Sequence, residues 1–299
     1  MEQLLSSCSL CPRNCQVDRN NSHTGFCGQT NEIRASRAAL HMWEEPCISG
    51  ESGSGTVFFS GCSLKCIYCQ NRDIALGQTG KIISTSRLAE IFLELQEKGA
   101  LNINLVTPSH FIPQIVTALQ EAKANGLHLP IVYNTSGYDT IQSLRLLDGL
   151  VDIYLPDCKY YSAELSAKYS AAPDYFTVAK DALAEMFRQV GAPVFDDAGI
   201  LQKGMVVRHL ILPGSTEDSK KVIQYLFETY GHSIYISIMN QYTPVRTFAD
   251  FPELNRTLTD EEYDQVVDFA IELGVENGFI QEGETCLESF IPPFDLQGI

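Results

Sequence analysis

Several features that mark large protein classes are scarce or missing in this sequence. Histidine occurs 6 times in 299 residues and tryptophan once. No two histidines share the helical spacing that clamps a metal. Positive charge is in short supply: 21 Lys and Arg face 37 Asp and Glu, a formal net charge of −16. No basic stripe exists, which argues against a sequence-independent grip on nucleic acid. The acid excess reads as solvated surface that favours solubility. No apolar run is long enough to cross a bilayer. The start, Met1-Glu2-Gln3-Leu4-Leu5, lacks the basic and long apolar stretches of a signal peptide. These absences predict no membrane contact and a cytoplasmic setting. There is no P-loop, no Gly-x-Gly-x-x-Gly dinucleotide fingerprint, and no serine, cysteine–histidine or paired-carboxylate hydrolase arrangement.

What the chain has is cysteine, 10 in all. In a chain this large, without an export signal, cysteines bunched at short spacings read as metal ligands in a reducing compartment. Cys158 and Cys286 stand alone and are expected to be inert buried thiols. Hydrophobic content of 44% and charged content of 19% suit a soluble globular protein. The organisation divides into a cysteine-rich segment, residues 1–50, and a larger domain, residues 51–299. Between them Gly50–Gly55 reads as a small-residue hinge.

From Thr56 onward, short apolar runs alternate with amphipathic helices. The strand candidates are Thr56–Ser60, Leu101–Val106, Leu129–Asn134, Val151–Leu155, Met205–Leu212 and Ser233–Ile238, each apolar and rich in β-branched residues. Leu88, Ile91, Phe92 and Leu95 mark a helix face behind a Ser86 cap, and Ile112, Ile115, Val116 and Leu119 mark another, with Gly126 soon after. Thr259 and Glu262 form a capping box, and Gly274 ends that helix. Strand–helix alternation predicts a parallel α/β architecture, either an open sheet or a barrel. Thr107, Asn134–Ser136, Asp157 and Lys159 lie at the carboxyl ends of these strands, the edge where such folds bind ligands. Polar residues also end strands as turn formers, but here three strand ends do so beside a cysteine loop.

That loop is Gly61-Cys62-Ser-Leu-Lys-Cys66-Ile-Tyr68-Cys69-Gln-Asn71. Three thiolates satisfy three irons of a cubane and leave the fourth open, and an open metal position marks chemistry rather than bracing. A zinc knuckle borrowing a fourth ligand is the plainer alternative. The C-x3-C-x2-C spacing, with an aromatic residue before the last cysteine and a strand in front, resembles the radical S-adenosylmethionine (SAM) superfamily. The resemblance implies a partial (β/α)6 TIM-like barrel of parallel strands, with the small cysteine-rich segment in front. It implies a [4Fe-4S] cluster on Cys62, Cys66 and Cys69, SAM on the open iron, and hydrogen abstraction by a 5′-deoxyadenosyl radical. Tyr68 would contact the adenine.

The later segments are similar to those of the pyruvate formate-lyase activating enzymes, in an uncharacterised branch. Val106-Thr107-Pro108-Ser109-His110 stands where a Gly-Gly-Glu segment often binds the SAM amino group; the acidic residue is missing, which leaves Thr107, Ser109 or backbone carbonyls for that contact. Tyr133-Asn134-Thr135-Ser136-Gly137 and Pro156-Asp157-Cys158-Lys159 correspond to two segments that flank SAM, with Asn134 in place of an aspartate. Arg208 would face the SAM pocket. His209 reads as a satisfied core histidine. The resemblance further implies a protein or peptide substrate and a low-potential electron donor of the flavodoxin or ferredoxin type; a small-molecule substrate, or a non-catalytic metal module, is the rival reading.

A second constellation is Cys8-x2-Cys11-x3-Cys15 followed by Cys27. Four thiolates close a tetrahedral zinc site or hold an auxiliary iron–sulfur cluster, and the ligand set does not distinguish them. Zinc is favoured because the segment has too little core to fold unaided; Cys47 is a substitute ligand. Trp43-Glu44-Glu45-Pro46 reads as a surface turn, with a lid or substrate contact as the alternative.

Overall fold

The computed structural model describes residues 3–281 and 292–299. Among them ten strands form one continuous sheet: β1 (Ile33–His41), β2 (Ser54–Phe59), β3 (Lys81–Ile83), β4 (Ile103–Val106), β5 (Ile131–Thr135), β6 (Ile153–Pro156), β7 (Val194–Phe195), β8 (Leu201–Leu210), β9 (Tyr235–Met239) and β10 (Gly278–Ile280). The order is β10-β9-β8-β6-β5-β4-β2-β1-β3, with β7 paired to β8.

From β2 to β10 every pair along this path is parallel. β2, β4, β5, β6, β8 and β9 are the six strands expected from the sequence, adjacent in chain order as a partial barrel requires. β2, β4, β5 and β6 are buried at every residue, as strands covered on both faces are, whereas β8 carries Lys203 to the surface. The sheet stays open, since β3 and β10 are its two edges.

Helices fill the crossovers. Thr85–Glu97 sets Leu88, Ile91, Phe92 and Leu95 against the sheet, all essentially inaccessible. Each such side chain contributes roughly 1.5–3 kcal/mol by burial. The cap of this helix is Ser84, whose hydroxyl accepts from the Arg87 N–H at 3.0 Å, and not Ser86. Ser84 is extended, the conformation of an N-cap, whereas Ser86 is already inside the first turn. Ile112–Ala124 repeats the pattern. Asp260–Leu273 has the expected Thr259–Glu262 capping box and ends on Gly274 in the left-handed region.

Three features lay beyond the periodic pattern. Residues 50–55 are no hinge: Ser54 and Gly55 open β2, and the Gly55 N–H donates to the Asn102 carbonyl at 3.0 Å. β1 pairs antiparallel with both β2 and β3, so residues 33–41 belong to the sheet. The tail returns along β1, where Ala38 N–H donates to the Gln297 carbonyl at 2.8 Å and Arg37 pairs with Asp295 at 2.7 Å. Cys286 lies outside the described residues. Cys158 is fully buried, as expected, and burial raises its thiol pKa.

Candidate active site

The cysteine loop leaves β2 through Gly61. Its φ of +91° favours glycine, and a Cβ there would meet Gln29 Cγ at 2.6 Å and the Cys27 carbonyl oxygen at 2.8 Å. The loop then folds on itself. Leu64 N–H points to Cys62 Sγ at 3.4 Å, Cys69 N–H donates to the Cys66 carbonyl at 3.1 Å, and Ile67 N–H donates to the Tyr169 carbonyl at 2.9 Å. Burial pushes the Cys69 thiol up to about 12, with Cys66 and Cys62 adding to it; burial and then Cys66 raise Cys62. Cys66 is thus near enough to Cys62 and Cys69 to oppose their ionisation, a cost that a cationic metal centre removes. Three soft sulfurs from one loop fit a cubane with each thiolate on its own iron. Among the described residues no three His, Cys, Asp or Glu side chains converge on a single-ion site, and a cubane needs no such convergence.

Beside the loop lies a cavity of about 220 Å³. Cys66, Tyr68, Cys69, Asn134, Asp157, Lys159 and Arg208, all anticipated, line it together with Glu44. Arg208, from β8, is its hub. Its Nε donates to Asp157 Oδ1 at 3.2 Å, its Nη1 to Glu44 Oε2 at 3.0 Å and its Nη2 to Asn134 Oδ1 at 2.6 Å. Lys159 Nζ donates to Asp157 Oδ2 at 2.6 Å. Burial favours a neutral Asp157, but Lys159 and Arg208 outweigh it and hold the carboxyl below its usual range. Burial likewise opposes the Lys159 charge, and Asp157 with Cys66 restores it. Gly137 sits so close to the Asp157 carbonyl that a side chain there has no room.

Trp43–Pro46 is therefore not a surface turn throughout. Trp43 is 58% exposed at the cavity wall, but Glu44 turns inward. Its Oε1 accepts from Asn104 Nδ2 at 2.9 Å and Asn134 Nδ2 at 3.3 Å. Glu45 is buried, its Oε2 has no hydrogen-bond partner, and burial raises its pKa against the pull of Arg208. Two adjacent acids before a proline carry no periodic signal; the clue available in the sequence was that two carboxylates here have no neighbouring Lys or Arg to pair with.

Thr107, Ser109 and Thr135, expected as SAM contacts, are not among the residues lining this cavity. Thr107 is a β-branched residue at φ +57°, a strained conformation, fixed by its N–H donating to the Asn134 carbonyl at 2.9 Å. Ser109 and Thr135 hydroxyls are 3.4 Å apart. Thr135 donates to Asp139 Oδ2 at 2.6 Å and Tyr133 to Asp139 Oδ1 at 3.0 Å, a buried carboxyl absent from the sequence reading. His209 is buried, with Nδ1 2.7 Å from the Cys158 carbonyl and Nε2 without a partner.

Of the four N-terminal cysteines, Cys27, Cys8 and Cys15 are near enough to act on Cys11, though the four do not converge on a single-ion site. Cys8, Cys11 and Cys27 are buried, and Phe26 N–H points to Cys15 Sγ at 3.3 Å. Arg19, fully buried, donates to the Thr30 and His110 carbonyls and approaches Cys8 Sγ at 3.8 Å. Cys47 lies elsewhere, packed with Ile48, Val132 and Ile153.

The radical SAM superfamily model matches residues 56–226. An uncharacterized protein of Methanocaldococcus jannaschii is 26% identical over 277 residues, 90% of this chain and 75% of its own length. The pyruvate formate-lyase-activating enzyme of Staphylococcus epidermidis is 23% identical over 180 residues, 56% of this chain and 65% of its own. Among solved structures, Streptococcus suis SuiB bound to precursor peptide SuiA aligns at 13% identity and a TM-score of 0.48, over 75% of this chain and 47% of that one.

Proposed function

The chain belongs to the radical SAM superfamily, and from that premise we propose that it abstracts hydrogen from a protein or peptide, in the manner of a glycyl-radical activase. Cys62, Cys66 and Cys69 would hold a [4Fe-4S] cluster, and the cavity beside them would hold SAM. When bound, the pair supplies one-electron cleavage of the SAM sulfur–C5′ bond and a 5′-deoxyadenosyl radical. The protein's share is to bind, orient and shield. Three of the five Arg208 N–H donors are already spent on Asp157, Glu44 and Asn134, so the guanidinium is held rigid while two donors stay available for a carboxylate. Lys159 brings a second cation to the same wall, and Asp157 and Glu44 offer anions to an ammonium group. Thr107, whose N–H donates to the Asn134 carbonyl, and the paired Ser109 and Thr135 hydroxyls would brace the neighbouring strand ends rather than touch SAM. An electron donor of the flavodoxin or ferredoxin type would reduce the cluster.

The observation that carries this reading is the three-cysteine loop opening onto the Asn134–Asp157–Lys159–Arg208 cavity. The polypeptide substrate draws support from the similarity to an activating enzyme and from the open sheet, whose β3 and β10 edges leave the side of the barrel unclosed. No helix among the described residues is long and apolar enough to cross a membrane.

Anaerobic reconstitution followed by dithionite and SAM tests the chemistry through release of 5′-deoxyadenosine. Deuterated lysate fractions test the substrate. Deuterium in 5′-deoxyadenosine from the polypeptide fraction is expected; deuterium from the small-molecule fraction alone would overturn the polypeptide assignment.

A further inference from the structure

Ser170, the last residue of helix Ala163–Ser170, donates its hydroxyl to Cys66 Sγ at 2.9 Å. The bond is not isolated. Tyr160 OH lies 2.7 Å from Ser170 Oγ, and Tyr68 OH lies 2.7 Å from Tyr160 OH. Ser170, Tyr160 and Tyr68 are all buried, so water does not compete for these hydroxyls. A metal-bound thiolate has no proton and only accepts. That fixes the polarity of the whole chain: Tyr68 donates to Tyr160, Tyr160 to Ser170, and Ser170 to Cys66. Hydrogen bonds in such a sequence polarise one another and strengthen the last one.

The helix end is held from outside the barrel. Arg13, between Cys11 and Cys15, donates through Nε to the Ser63 carbonyl at 2.7 Å and through Nη2 to the Ser170 carbonyl at 2.9 Å. Its Nη1 reaches the Ala171 carbonyl, where the chain turns through φ +48°. The guanidinium also lies 4.0 Å from the Phe26 ring centroid. One residue of the N-terminal segment therefore joins the cluster loop to the helix end that carries the donor.

We infer that Ser170 is a positioning residue that raises the reduction potential of the cluster held by Cys62, Cys66 and Cys69, with Tyr160 and Arg13 fixing its hydroxyl. This rests on the cluster assignment above. Reduction puts negative charge on the cluster sulfurs, and a donor to a ligating sulfur stabilises that form more than the oxidised one.

The test is a potentiometric titration of the reconstituted protein, followed by electron paramagnetic resonance, with proton hyperfine spectra in H2O and D2O. Ser170→Ala should move the midpoint to more negative potential and remove one exchangeable proton coupling. Tyr160→Phe should shift the midpoint the same way by less, and Ser170→Thr should restore both readouts. A wild-type midpoint in both Ser170→Ala and Tyr160→Phe, at unchanged iron content, overturns the inference and leaves the cluster assignment standing. A wild-type protein that assembles no [4Fe-4S] cluster overturns the assignment and the inference with it.

Discussion

Glu44 Oε2 lies 3.0 Å from Arg208 Nη1, joining the segment before the first parallel strand to the fifth parallel strand. The two side chains are 7% and 16% exposed. The pair ties a stretch without regular structure to the wall of the proposed SAM pocket. It also gives that wall an anion that the Val106–His110 segment does not supply.

Removing Glu44 takes away one of the two carboxylates that Arg208 donates to and leaves Asp157 as the other. Glu44→Ala is expected to lower stability by about 1–3 kcal/mol, the cost of an unmade bond to a buried charged group, read by anaerobic urea denaturation. Glu44→Gln keeps the acceptor for Asn104 and Asn134 and should lose less. Equal loss in the two variants would show that shape rather than charge carries the role.

His41 gives the chain an acid-sensitive step above the carboxylate range. Burial, then Arg37 and Arg208, push its pKa from 6.5 down to about 4. Between those values the unfolded chain takes a proton that the folded chain refuses. The His41 contribution to stability is therefore intact above pH 6.5 and is lost as pH falls toward 4, at no more than about 1.4 kcal/mol per pH unit. Denaturation midpoints at pH 7, 6 and 5 should fall more steeply for wild type than for His41→Gln. Parallel pH profiles would rule His41 out as the cause.

Ser84 is a smaller and cleaner case. Its hydroxyl accepts the Arg87 N–H at the start of Thr85–Glu97. Ser84→Ala should cost about 1 kcal/mol, while Ser86→Ala should cost little, since Ser86 Oγ only meets the exposed Glu121 carboxylate at 3.1 Å. Thermal denaturation of the two variants separates them. A larger loss for Ser86→Ala would contradict the cap assignment.

The contrast between Ser84 and Ser86 shows what a sequence states and what it withholds. The apolar spacing of Leu88, Ile91, Phe92 and Leu95 announces a helix and its buried face, because burial selects those side chains. It does not say where the backbone leaves the extended region, which is settled by φ and ψ at one residue. The same division holds at the site. Cys62, Cys66, Cys69, Asn134, Asp157, Lys159 and Arg208 were legible because they sit in one loop or at the ends of apolar strands. Glu44 was not, because its partners Asn104, Asn134 and Arg208 come from three different strands and meet it only in the closed-up sheet. β1 was equally hidden: its pattern mixes Arg34, Arg37 and buried alanines, and pairing with β2 and β3 rather than apolar content makes it a strand.

The N-terminal cysteines raise a charge question that a metal would answer. Arg19 is fully buried, and its donors go to the Thr30 and His110 carbonyls and toward Cys8 Sγ rather than to a carboxylate. Cys11, pushed up to about 12 chiefly by burial and further by Cys27, Cys8 and Cys15, is neutral as a thiol. A thiol set leaves the Arg19 charge unbalanced in the interior, whereas four thiolates on zinc carry the negative charge that balances it. The four thiols do not converge on a single-ion site as they stand, so the metal would have to draw them together; on that basis we expect about one zinc per chain besides about four irons, measured by elemental analysis of the reconstituted protein. Cys11→Ser should lose the zinc and keep the four irons. It should also become sensitive to limited proteolysis in the first thirty residues, because the segment has little core without its metal. Roughly eight irons without zinc would instead assign an auxiliary cluster to these cysteines, and four irons with neither would leave Arg19 balanced by some other group.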